Sequence, residues 1–417
     1  MRVLKSLFYY LFPITSVLVI PFIQGTTPAF LLCFIFLFLN WLLSEKKNAS
    51  KFYIIFLAPL VPFILLNTLA QAGVAWFETP SITQIPIVLV DDANPTNLFL
   101  RGSIFTQLLY LIAGLSAFAF IATYYKDSEI NKLFWGIRIL IIYGAIEWIL
   151  FMITGQNSDF LSNRSFNGEE GSGSLFQLIT IGGVTLERFK SLTGEPSMFA
   201  FTVLPFWVLA FEYKRSIDII LITFSLALSF STTFFLGLFI YIIYKLCVSS
   251  FSKKIILLFS VIAVISVLIA VAGDEISLIW NGMVVEKLAE ESTSGQDRFL
   301  GFRLGLDYWT NINYWGKAFG VGFGIFRLTD FFSTTLSNNG VSGLIYWTIL
   351  FFLPFIAIKS SCWSDTSKKI FPAILVVFIT MMVSVPEYMY LSIWITLGLA
   401  YRELINFSYF TSDDVNK

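Results

Sequence analysis

The chain has 417 residues, with 27 Lys+Arg, 27 Asp+Glu and no histidine. Hydrophobic residues make up 57% of it and charged residues 13%, against roughly 25% charged in a typical soluble domain, and the mean hydropathy is +0.78. These values exclude a soluble globular protein, a disordered chain and a nucleic-acid binder of the basic-patch kind.

In chain order, apolar runs fall at 7–23, 29–43, 52–69, 104–124, 133–153, 196–211, 216–229, 232–246, 255–272, 341–358, 370–385 and 388–401. At roughly 20 apolar residues per span, the composition allows about twelve membrane helices. The first run is long for a signal h-region and has no small-residue cleavage site, so it is expected to be the first span. The runs 216–229 and 232–246 are expected to form a hairpin around Ser229-Phe-Ser-Thr-Thr233, and the last two to turn at Pro386-Glu387. The predicted fold is therefore all-α, a single polytopic membrane domain over 1–417 with long external loops at 70–103, 154–195 and 273–340.

Lys and Arg set the expected orientation. With Arg2 and Lys5 in the cytoplasm, both termini are inside and 18 of the 27 basic residues lie on that side, fourteen of them Lys. The outer nine are Arg101, Arg164, Arg188, Arg298, Arg303, Arg327, Lys190, Lys287 and Lys317. Lys suffices as a topological anchor, whereas the planar Arg fork matches phosphate oxygens in pairs. An outer face rich in Arg points to an anionic ligand; salt bridges within folded loops are the plainer reading for any single one. The cytoplasmic loops are short and show no Walker loop or dinucleotide fingerprint, which argues against an ATP-driven pump.

Four outer features stand out. Pro196 fits the first position of a helix, which puts Glu195 at its N-terminus, just after Arg188 and Lys190. The plain reading is a dipole-compensating cap; the functional one is a carboxylate in a cationic mouth. Arg298, Phe302, Gly305, Leu306 and Trp309 recur at helical spacing, as in an amphipathic helix that also carries Arg303. Gly320, Gly322 and Gly324 precede Arg327, and such a G-x-G-x-G fits either phosphate binding or a re-entrant turn. Glu147, near the outer end of the fifth span, is either a functional intramembrane carboxylate or a group snorkelling into water.

At these residues the chain resembles the Wzy-type polysaccharide repeat-unit polymerases of the O-antigen polymerase and ligase superfamily. The resemblance lies in Lys190-Ser-Leu-Thr-Gly-Glu-Pro-Ser-Met-Phe-Ala200 ahead of a span, in the polar-turned hairpin at 229–233, and in the Arg-bearing late loop followed by Gly320-Val-Gly-Phe-Gly324 and Gly340-Val-Ser-Gly-Leu. It covers most of the chain as topology and about thirty residues as motif. It implies a GT-C-like, metal-independent membrane glycosyltransferase without cofactor, in the bacterial inner membrane. Such an enzyme extends undecaprenyl-pyrophosphate-linked oligosaccharides into O-antigen or capsular polysaccharide at the outer face. Its partners would be the lipid-linked donor and acceptor and the bilayer, with room for a chain-length regulator and none for nucleic acid.

On that reading Arg298 and Arg303 bind the donor pyrophosphate and Glu195 is the general base or orients the acceptor hydroxyl. Arg188, Lys190, Ser197, Arg327, Glu147, Gly320, Gly322 and Gly324 form the surrounding substrate site. The related ligases place a His in the late loop; here Ser337-Asn338-Asn339 occupies that region and the chain has no His. A lipid-linked oligosaccharide flippase is the rival from another class, although no clear internal repeat supports it.

Overall fold

The computed structural model of the chain describes residues 2–20, 25–79, 98–164, 177–181, 184–250, 252, 254, 293–358 and 362–415. The predicted span at 255–272 lies outside them, as do most of the 70–103 loop, the middle of the 154–195 loop and the start of the 273–340 loop. The described chain is almost wholly helical. Its helices are α1 (Arg2–Leu11), α2 (Pro28–Leu43), α3 (Lys46–Trp76), α4 (Gly102–Tyr124), α5 (Ile130–Thr154), α6 (Pro196–Glu212), α7 (Ser216–Leu228) and α8 (Thr232–Val248). They continue as α9 (Thr293–Asn311), α10 (Tyr314–Phe319), α11 (Phe331–Ile356), α12 (Asp365–Ser384) and α13 (Leu391–Val415). One antiparallel hairpin of strands, β1 (Leu178–Ile181) and β2 (Val184–Glu187), pairs Leu178 with Glu187.

Among the described residues, five helical segments are long and apolar enough to cross a membrane: Lys46–Trp76, Gly102–Tyr124, Asp127–Thr154, Phe331–Ile356 and Asp365–Ser384. Shorter apolar helices include α2, α6, α7 and α8. α6 is buried along nearly its whole length, between α7, α8, α12 and α13. α13 runs along α4, which also packs on α2 and α3. Where lipid tails are as apolar as side chains, close packing rather than water exclusion holds such helices together. Phe36 stacks flat on Phe120 at 4.0 Å, and Trp207, Trp347 and Trp394 are fully enclosed.

The helix starts follow from local chemistry. Thr27 caps α2 ahead of Pro28, and the Asp330 carboxylate accepts from the Ser333 amide at 2.7 Å to cap α11. α7 and α8 form the expected hairpin, closed by Phe230 in a left-handed conformation, and α12 and α13 are joined through Pro386-Glu387. The first predicted span differs. Helix α1 ends at Leu11, two residues before Pro13, which cannot donate and so ends the helix ladder. Residues 12–20 continue without regular structure. The Thr15 and Ser16 amides donate to the Leu192 carbonyl at 2.9 and 3.1 Å, and the Ser16 carbonyl accepts from Asn163 and Arg164.

The polar contacts sort the helix ends into two sets. At one end Lys5 pairs with Glu129, Arg402 with Asp127, Arg138 and Arg215 with Asp218, and Lys245 with Glu212, all within 2.5–2.7 Å. Every basic member of that set belongs to the side predicted to be rich in Lys. The opposite end gathers the N-termini of α2, α4, α6, α11 and α13 around a cavity.

Candidate functional site

The cavity encloses about 440 Å³. Four charged side chains line it: Arg164, Glu195, Arg327 and Glu387. Aromatic rings form much of the wall, among them Tyr110, Phe323, Trp347, Tyr388 and Tyr390. Trp347 and Tyr388 stack at 5.7 Å, and the Tyr388 hydroxyl donates to the Gln107 carbonyl at 2.8 Å.

Each charged group is carried by a segment of irregular backbone fixed by side-chain hydrogen bonds. Glu195 follows a short 3-10 turn (Ser191–Thr193) and Gly194, and precedes Pro196 at the first position of α6, as predicted. The Ser191 hydroxyl donates to Leu140 O at 2.6 Å and the Thr15 hydroxyl to Thr193 O at 3.2 Å, pinning the turn to α5 and to the unwound 12–18 segment. The Ser197 hydroxyl donates to the Glu195 carboxylate at 3.1 Å. Arg164 is held through its backbone amide by Ser16 O, and its guanidinium approaches the Met198 sulfur at 3.9 Å.

Arg327 is fixed from both sides. The Asn338 side-chain amide accepts from Phe326 N–H at 2.7 Å and donates to Phe326 O at 2.8 Å, while Thr334 accepts from Leu328 N–H at 3.1 Å. Its guanidinium pairs with Glu387, and 44% of the side chain stays accessible. Burial first, and then the neighbouring Arg164 cation, lower its pKa; an arginine starts so high that it remains charged at neutral pH.

The glycine loop explains how the turn before Arg327 is made. Gly320 and Gly340 both have positive φ, +74° and +64°. A Cβ on Gly320 would lie 2.3 Å from the Asn338 carbonyl, and one on Gly340 would lie 2.4 Å from the Ala318 carbonyl. The two backbones therefore approach across each other, and Gly322 N–H donates to Asn338 O at 2.8 Å. Gly324 lines the cavity, whereas Gly322 packs on Gln71, whose amide donates to Val321 O at 2.8 Å. The G-x-G-x-G thus makes a tight turn against α11.

The other sequence-predicted site residues lie elsewhere. Arg188 spends its donors on the α7–α8 turn, to Ser229 O at 3.1 Å and Phe230 O at 2.9 Å, and on Gln177 at 2.5 Å. Lys190 is 1% exposed and sits among three carboxyls, Glu147, Asp159 at 3.0 Å and Glu187 at 3.8 Å. Glu147 is thus enclosed, not snorkelling. Arg303 forms the predicted helix α9 but is 69% exposed, with Asp307 3.8 Å away. The Arg298 side chain lies outside the described residues. α9 itself packs on the start of α11, where Ser337 donates to Gly305 O at 3.2 Å.

Sequence reasoning assigned no site role to Arg164 or Glu387. Arg164 carried a usable signal as one of six Arg residues expected on the outer side; Glu387 stood alone in a turn. Among the described residues no group of three or more Asp, Glu or Cys side chains is arranged to hold a metal ion. No family model and no curated protein matches the chain.

Proposed function

We propose that the chain is a membrane glycosyltransferase of the Wzy type, which polymerises undecaprenyl-pyrophosphate-linked repeat units at the outer face of the bacterial inner membrane. The observation that carries this reading is the convergence of Arg164, Arg327 and Glu195 on an aromatic-walled cavity at one end of an apolar helix bundle. That end is opposite the one where Lys5, Arg138, Arg215, Lys245 and Arg402, all of the more basic side, form their ion pairs, and the positive-inside rule supports a cavity that faces outward.

The groups suit the transfer. Glu195 takes the proton of the acceptor sugar hydroxyl as its oxygen attacks the anomeric carbon of the donor. The lipid pyrophosphate leaves, and Arg327 and Arg164 stabilise the charge that develops on it. Glu387 orients the Arg327 fork, Ser197 orients Glu195, and the tyrosine and tryptophan faces offer stacking area to sugar rings. Arg303, exposed on α9, has at most a subsidiary part. The activated bond arrives with the substrate, so no nucleotide site is needed.

The test is reconstitution of the full chain in vesicles with purified lipid-linked repeat units. Longer lipid-linked glycans support a polymerase. Transfer onto a lipid A acceptor would indicate a ligase, and movement between leaflets without lengthening a flippase.

A further inference from the structure

Three carboxyls face a single ammonium in a closed part of the outer end. Glu147 comes from α5, Asp159 from the segment after it, and Glu187 from the end of β2. All surround Lys190, and each side chain is 1–3% exposed. Fully ionised, the group would bury a net charge of −2, which the low-dielectric interior opposes strongly. Lys190 contacts Glu147 and Asp159 directly. Glu187 is farther from it, and neither Glu187 oxygen has an ordinary hydrogen-bond donor. Its carboxyl instead stands beside that of Glu147 at the same ammonium.

We propose that Glu187 is carried as a neutral carboxylic acid donating its proton to Glu147, and that this proton-bearing cluster is the positioning device that holds Arg164 and Glu195 at the cavity. Asp159 stands five residues before Arg164 and Lys190 five before Glu195. One ammonium therefore ties both irregular segments to α5. The Trp148 indole N–H donates to Glu187 O at 3.0 Å, anchoring the same segment to the same helix.

The electrostatics agree with this placement. Burial, then the Glu147 charge, push the Glu187 carboxyl up to about 8. Burial opposes ionisation of Asp159 as well, but Lys190 and the Ser162 hydroxyl and amide outweigh it and leave that carboxyl below its ordinary value. Facing the group, α5 presents Glu147 and Tyr143, whose hydroxyl meets Asp159 at 3.3 Å. The 158–164 segment presents Asp159, the end of β2 presents Glu187 and the residue before the 3-10 turn presents Lys190. Arg188 is turned away to Ser229 and Phe230. When the proton leaves to water, three carboxylates share one ammonium and the clamp loosens.

The experiment uses the full chain in phosphatidylglycerol nanodiscs and has two readouts that need no activity. Infrared titration of the wild type should show a carboxylic-acid carbonyl band lost with a midpoint near pH 8, and Glu187→Gln should lack it. Hydrogen exchange, corrected for its intrinsic pH dependence, should show residues 158–164 and 187–195 losing at least about tenfold protection together above that midpoint in the wild type, but not in the variant. An unchanged band in Glu187→Gln, or protection constant from about pH 6 to about pH 9.5 in the wild type, overturns the proposal. If the variant fails to fold, the two wild-type titrations still decide.

A third readout rests on the transferase reading. Chain extension should fall above pH 8 in the wild type and stay within about twofold in Glu187→Gln, whereas Glu187→Ala, which cannot hold Glu147, should lose it at every pH. An inactive wild type with the expected infrared and exchange behaviour would sink the transferase reading and leave this one standing.

Discussion

Arg164 and Glu195 each lie five residues past a member of the Lys190 cluster, yet the two charged centres they mark are built in opposite ways. In the cavity, two arginines and two carboxylates line about 440 Å³ of open space, and the Arg327 side chain remains 44% accessible. In the cluster, one ammonium and three carboxyls are each almost wholly buried and meet one another instead. The chemistry of the side chains is similar. What separates a site from a clamp is whether the packing leaves room for a substrate beside the charge.

Substitutions can break or sharpen that contrast. The largest effect is expected from Lys190→Met, which leaves three carboxyls without their cation. It should cost about 3–5 kcal/mol in thermal unfolding, and unchanged stability would mean that the cluster is no clamp. Arg327→Ala should do the reverse. It should lower chain extension by about 10²–10³-fold, the range for losing one donor to a developing oxyanion, with a smaller loss in thermal unfolding than Lys190→Met, because it leaves one carboxylate and not three without a cation. Extension at the wild-type rate would remove Arg327 from the site.

The cluster also sets a pH dependence. A carboxyl raised from its ordinary 4.5 to about 8 in the folded chain keeps a proton that the unfolded chain has released. Its contribution to stability therefore falls as pH rises from about 4.5 to about 8 and levels off above. Unfolding measured across that window should show the decline, and Glu187→Gln should flatten it. A smaller loss, about 1–3 kcal/mol, is expected from Gly340→Ala. There φ is +64° and a Cβ would strike the Ala318 carbonyl, so the turn that aims Arg327 should shift. The smallest effect should come from Arg303→Ala. An exposed arginine 3.8 Å from its partner is worth under about 1 kcal/mol to the fold, and extension should change less than about threefold. A collapse of activity in that variant would return α9 to the centre of the mechanism.

Several local features were legible in advance. Pro196 opens α6 because a missing N–H costs nothing there, and Glu195 precedes it. The period of Phe302, Gly305, Leu306 and Trp309 reports α9. The polar 229–233 stretch closes a hairpin. The first apolar run predicts a longer helix than the one that forms, because its apolar character runs on past Pro13 while its hydrogen-bond ladder does not. Arg188 and Lys190 look like ligand groups in a list of outer cations, and Arg164 looks no different from them. Only the carbonyls at 229–230 and the carboxyls at 147, 159 and 187 distinguish their roles, and these lie from 3 to 43 residues away.

Composition and apolar runs alone were enough to mark a mostly helical chain suited to a membrane. Hydrophobic period, proline, glycine and caps act within a few residues, and each leaves a mark where it acts. Tertiary structure alone decided which charges meet a cavity and which are sealed. That choice depends on unwound segments at 12–20, 158–164 and 187–195 packing against one another, through hydrogen bonds spanning up to 178 residues. Such segments have no period to read, because their polar backbone is satisfied by distant partners instead of by the next turn of a helix.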